Sequence, residues 1–176
     1  FIQAQARLIS PFVNQHDFIL FSYHGLPENH LIKEGCGAIC SRECPTKKAL
    51  SSPHCYRFQC FQTTALIAKE LRLNPRQYGT TFQSRLGKTP WIKPYTNEIL
   101  NDLKVRGIKN LAVVCPSFVA DCLETLEEIG QQLRDQWLSL GGVSLTPIPC
   151  LNDNQDWIDA ILSMTGLEPT QAQSLT

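Results

Sequence analysis

Two unbroken apolar runs narrow the folds open to this chain of 176 residues more than any other feature. Phe18-Ile19-Leu20-Phe21-Ser22-Tyr23 and Asn110-Leu111-Ala112-Val113-Val114-Cys115 do not alternate apolar with polar residues. A strand with one wet face alternates, whereas a strand buried on both faces does not. Such strands belong to parallel sheets, whose crossovers are helices. The segments between and around these runs read as those crossovers. A helix is expected over about 1–14, with Ile2, Ala6, Ile9 and Val13 on one face, and a second over about 56–73, closed by Asn74-Pro75. Others are expected over about 96–105, stopped at Gly107, and over about 121–140, the longest, stopped at Gly141-Gly142. A last one starts at Asp153 or Asp156 and runs to about 164. Further strands fit about 78–84 and 144–149. The pattern predicts an α/β fold: a Rossmann-like, doubly wound parallel sheet of about four strands with flanking helices.

Lys+Arg and Asp+Glu are 16 each, so the chain has no net charge and no broad footprint for nucleic acid. No apolar stretch approaches the roughly 20 residues of a membrane-spanning helix. The chain starts at Phe1, inside an amphipathic segment, which suggests a piece of a longer protein: one domain over 1–165, then a flexible tail over 166–176. No G-x-G-x-x-G follows a strand, so a dinucleotide cofactor gains no support. Of the eight cysteines, Cys36, Cys40, Cys44 and Cys55 share a polar, aperiodic stretch read as a loop, with Cys60 just beyond it. Cys115, Cys122 and Cys150 are scattered in apolar contexts as plain thiols. Clear helices and strands do not suit a secreted disulfide scaffold, so the expected compartment is reducing and cytoplasmic.

In open parallel sheets, ligands bind beyond the carboxyl ends of the strands. His24 follows the first apolar run, and Phe118 to Asp121 follow the later one, so topology places both at one sheet edge. On the helix expected next, Asp121, Glu124 and Glu128 are three and four apart and share a face. A histidine and a ladder of carboxylates at one edge make a proton-handling or metal-handling site. The same residues allow a plainer reading: Asp121 and Glu124 have capping-box spacing, and a strand-end histidine can be structural.

At these residues the chain resembles the ferrochelatase family, specifically the C-terminal half of the bacterial enzymes. The resemblance rests on Phe21-Ser22-Tyr23-His24-Gly25-Leu26-Pro27, on Thr81-Phe82-Gln83-Ser84-Arg85-Leu86-Gly87 with Pro90-Trp91-Ile92-Lys93-Pro94-Tyr95-Thr96, and on Cys115-Pro116-Ser117-Phe118-Val119-Ala120-Asp121-Cys122-Leu123-Glu124-Thr125-Leu126-Glu127-Glu128. It implies a chelatase-type lobe of an enzyme that inserts Fe²⁺ into protoporphyrin or coproporphyrin to form haem. His24 then corresponds to the active-site histidine and Glu124 to the carboxylate across the cleft, both metal-site residues. Asp121 and Glu128 would extend an acidic path from Glu124. Trp91, Phe118 and Tyr23 would wall the porphyrin cleft, with ordinary core the first reading for Tyr23. The implied partners are porphyrin, ferrous iron and the missing N-terminal lobe, without which the fragment is expected to be inactive. Peripheral membrane contact stays open.

Two departures from the family pattern stand out. Ser117 occupies a position where many bacterial relatives have Gly. The larger one is Cys36-x₃-Cys40-x₃-Cys44-x₁₀-Cys55, which fills a link that is shorter and cysteine-poor in relatives without a cluster. Some bacterial ferrochelatases carry a [2Fe-2S] cluster on cysteines of an internal segment, and the resemblance implies one here over 33–56. Zinc, or no metal, is the alternative, and His54 or Cys60 the alternative fourth ligand. The rival functions are another tetrapyrrole metal chelatase and a cluster-bearing sensing or interaction domain on a chelatase scaffold.

Overall fold

The computed structural model describes residues 1–33 and 55–166. Cys36, Cys40, Cys44 and His54, and the tail expected beyond Gly166, lie outside the described residues. In chain order the elements are α1 (Ile2–Val13), β1 (Phe18–His24), α2 (Glu28–Lys33), α3 (Tyr56–Glu70), β2 (Tyr78–Gln83), α4 (Ile99–Val105) and β3 (Asn110–Val114). Then come α5 (Leu123–Leu126), a π-helical segment (Glu128–Leu133), α6 (Arg134–Ser139), β4 (Ser144–Pro147) and α7 (Gln155–Thr165). The four strands are all parallel, in the order β2-β1-β3-β4. This is the doubly wound, Rossmann-like sheet that the unbroken apolar runs predict.

The central strand β1 explains the layering. Ile19, Phe21 and Tyr23 project to one face and pack with Ala6 and Ile9 of α1 and Ile67 of α3. Phe18 and Leu20 project to the other and pack with Leu100 and Leu103 of α4, Ile129 and Leu133 of the π segment, and Trp137 of α6. Phe18, Leu20 and Phe21 are at most 1 % exposed, and burying side chains of this size stabilises by about 1.5–3 kcal/mol each. Trp137 is fully buried and donates its indole N–H to the carbonyl of Ser144 at 3.0 Å. A Cβ on Gly142 would lie 2.2 Å from that indole nitrogen, so only glycine lets the chain turn from α6 into β4 there.

Two expectations need correction. The stretch from Leu31 to His54, which reads as loop from the sequence, begins inside a short helix, Glu28–Lys33. The single long helix expected over about 121–140 is instead divided into α5, the π segment and α6. Leu123 and Leu126 are exposed while Thr125, Ile129, Leu133 and Trp137 are buried. The buried positions repeat every four residues, which is wider than an ideal α-helical turn. The chain meets that spacing by widening the turn, with the N–H of Gln132 reaching the carbonyl of Glu127 five residues back.

Candidate functional site

His24 is the last residue of β1, in register with Gln83 at the end of β2. Its backbone is pinned twice. Its N–H donates to the Ser117 hydroxyl at 3.0 Å, and its carbonyl accepts from the Tyr56 hydroxyl at 2.8 Å. Ser117, the departure from the family pattern, is thus one of the two groups that hold the histidine backbone. The ring contacts the Gly25 carbonyl through Nδ1 at 2.6 Å. A carbonyl only accepts, so Nδ1 carries the hydrogen and Nε2 is the basic nitrogen of the neutral ring. The imidazole lies between two aromatic rings, Phe118 at 6.0 Å and Trp91 at 6.3 Å between centroids. Gly25 makes this closeness feasible: a Cβ there would lie 2.9 Å from the Gln83 carbonyl and 3.1 Å from the Trp91 ring.

Facing this strand end is the start of the acidic helix. Its N-cap is Cys122, whose N–H donates to the Thr125 hydroxyl at 3.0 Å. The capping pair therefore lies one residue later than the Asp121–Glu124 spacing suggests. Asp121 serves a different end: its carboxylate accepts from the Asn152 amide at 2.8 Å, the Thr125 hydroxyl at 3.0 Å and the Cys150 N–H at 3.2 Å. Burial opposes its charge, but the donors from Asn152, Cys150 and Thr125 outweigh it and hold the carboxyl below its usual range. Glu124 is half-buried and its carboxyl is also held low, first by the Cys122 thiol, then by its own N–H, with His24 adding least and only in its protonated form. Glu128 is half-buried and accepts from the Ser84 hydroxyl at 2.8 Å.

Beneath these groups lies a polar network that sequence reasoning did not assign to the site. Gln83 donates its amide N–H to the Glu124 carbonyl at 2.7 Å and reaches Glu128 Oε2 at 3.4 Å. Its oxygen accepts from Ser22 at 2.6 Å, and Ser22 also shares a hydrogen bond with Thr96 at 2.8 Å. Ser84 follows with φ 64, a left-handed conformation uncommon outside glycine. The signal that could have found Gln83 and Ser84 is the one that found His24, since Gln83 ends β2, with Ser84 next in the chain, as His24 ends β1.

Of the three side chains offered as cleft walls, one lies in the core, its first reading. Tyr23 faces away from His24. It is 3 % exposed in the α1/α3 core, and its hydroxyl bonds Thr64 at 2.9 Å. Cys60 and Cys150 are free thiols pushed up to about 12 chiefly by burial, and buried Cys115 is raised well above its usual value for the same reason. All three are packed in the interior, at most 6 % exposed. Cys55 is a free, buried thiol at the N-cap of α3. Among the described residues, no three His, Cys, Asp or Glu side chains are grouped to hold a metal ion. No helix among them is long and apolar enough to cross a membrane.

The family model described as Ferrochelatase matches residues 1–166. The chain belongs to the ferrochelatase family. A ferrochelatase of Legionella pneumophila (strain Lens) is 55% identical over 164 residues, which cover 93% of this chain and 49% of the relative. A ferrochelatase of Coxiella burnetii (strain Dugway 5J108-111) is 53% identical over 168 residues, covering 93% and 48% respectively. The chain thus spans about half the length of the curated ferrochelatases it matches. On this ferrochelatase-family sheet, His24, Trp91 and Phe118 converge at one edge, and the start of the acidic helix meets the same edge through Gln83.

Proposed function

We propose that this chain is the C-terminal lobe of a ferrochelatase and forms one wall of a cleft in which Fe²⁺ enters a porphyrin. The observation that carries the reading is the pairing at one sheet edge of His24, with a basic Nε2, and Glu124, with a carboxylate held ionised. Metallation replaces two pyrrole N–H protons by one Fe²⁺, so the site must accept two protons and deliver a divalent cation. Nε2 of His24 is placed to take a proton, and imidazole and carboxylate both serve as transient ligands for ferrous iron. Phe118 supplies half-buried apolar surface beside the imidazole, as a porphyrin cleft needs, and the buried Trp91 backs the ring. Glu128 continues the acidic line from Glu124. Asp121 anchors the helix start through donors it already holds.

The substrates are ferrous iron and either protoporphyrin or coproporphyrin, and the second wall of the cleft belongs to the rest of the protein. A [2Fe-2S] cluster on Cys36, Cys40, Cys44 and Cys55 is part of the same reading. Its support within the described residues is that Cys55 is a thiol without a disulfide, next to the cysteine-rich segment. Zinc on the same thiols is the alternative, and visible sulfide-to-iron absorbance in anaerobically purified protein separates the two.

The test is steady-state porphyrin metallation by the full-length protein. His24→Ala is expected to lower kcat by at least about 100-fold, the scale of a lost general base. Activity within about threefold of wild type would overturn the reading. It would favour instead a chelatase scaffold without catalysis.

A further inference from the structure

We infer that Gln83 is a positioning residue that sets the start of the acidic helix against the sheet end, and so holds Glu124 and Glu128 where His24 can work with them. The inference rests on the metal-insertion reading and adds a residue to it. Gln83 is 6 % exposed, ends β2 and is in register with His24. Every hydrogen-bonding position of its amide is engaged. Oε1 accepts from the Ser22 hydroxyl at 2.6 Å and the Cys115 thiol at 3.4 Å. Nε2 donates to the Glu124 carbonyl at 2.7 Å and to Glu128 Oε2 at 3.4 Å. The partners fix the orientation, because the reverse amide would set its oxygen against a carbonyl and a carboxylate.

Where this amide sits explains why it matters. The chain passes from α to π geometry between Leu126 and Glu128, and a terminus so short holds its own place weakly. α5 has four residues, two of them the exposed Leu123 and Leu126, so little apolar burial anchors it. Its position is set by polar ties at both ends: the Asp121 clamp on the N-terminal side, and Gln83 with Ser84 toward Glu128. Gln83 is the tie that runs to the sheet carrying His24. Through Ser22, Thr96 and Thr81 it is braced inside the protein, all three being at most 2 % exposed. A buried, fully satisfied network of this kind holds one geometry. Losing the amide frees the helix start to shift, and small displacements of catalytic groups cost rate out of proportion to their size.

The experiment uses the full-length protein with Gln83→Met, which removes both donor and acceptor, and Gln83→Glu, which keeps the shape and loses the donor. Two readings are taken: kcat and KM for porphyrin metallation, and amide hydrogen exchange over residues 123–133. Both variants are expected to lose about tenfold in kcat, with the porphyrin KM changed by less than about twofold. Exchange over 123–133 is expected to be about tenfold faster, while β1 and β3 keep their protection. If Gln83→Met does not fold, both readings are taken on the nearly isosteric Gln83→Glu. Wild-type kcat, or kcat and KM altered together with unchanged exchange, overturns the inference. If the parent protein metallates no porphyrin, the functional reading fails by itself, and unchanged exchange in both variants then overturns this one.

Discussion

The two faces of β1 begin alike and end differently. On the face toward α1 and α3, apolar burial runs to the end of the strand: Ile19, Phe21 and Tyr23 are all at most 3 % exposed, and the one polar atom, the Tyr23 hydroxyl, is satisfied by Thr64. On the face toward α4 and the π segment, Phe18 and Leu20 give way to Ser22 and His24, one tied into a polar network and the other half-exposed. The chain thus keeps apolar burial along one face and sets polar side chains at the last two positions of the other. Successive side chains of a strand point to opposite faces, so the division follows the pleat.

The sharpest test of that division is substitution of neighbours that point opposite ways. In the full-length protein, His24→Ala should remove at least about 100-fold of metallation rate while changing the free energy of urea unfolding by less than about 1 kcal/mol. Tyr23→Ala should do the reverse, costing about 3–5 kcal/mol of stability through the cavity it leaves. Equal effects of both on both readings would break the comparison. Ser22→Ala should fall between, losing about 1–2 kcal/mol as the Gln83 amide oxygen loses a buried donor, with a several-fold drop in kcat. Tyr23→Phe should cost about 1 kcal/mol and leave kcat unaltered.

The smallest effect concerns acid. The folded Asp121 carboxyl lies below its unfolded value, so its contribution to stability is complete above about pH 4 and is lost as pH falls through the folded value. Asp121→Asn should be less stable at pH 7 and show a shallower loss of stability between about pH 4 and 2 in urea titrations. An unchanged acid slope would show that the clamp is not what resists protonation.

Much of this was readable from residue order. The unbroken runs at Phe18 to Tyr23 and Asn110 to Cys115 announced a sheet buried on both faces, and the strand-end rule put His24 near the segment after β3. Helix continuity was not readable. Asp121 to Leu140 carries no proline or other breaker before Gly130, and a periodic pattern cannot distinguish an α-helix from one with a widened turn. The capping pair was misplaced by one residue because Asp121 has two roles open to it by composition, and only the distant Asn152 and Cys150 decide between them.

By itself, then, the order of residues determined the α/β class, the parallel sheet and the family, because periodicity and motif spacing are local properties that the chain carries with it. Tertiary structure alone decided that Asp121 is tied by Asn152 and Cys150, that Ser117 bonds the His24 backbone and that Gln83 reaches the Glu124 carbonyl. Those bonds join partners 29 to 93 residues apart in sequence, from the Asp121–Cys150 bond to the His24–Ser117 one. A hydrogen bond across such a span exists only once the sheet has brought its ends together.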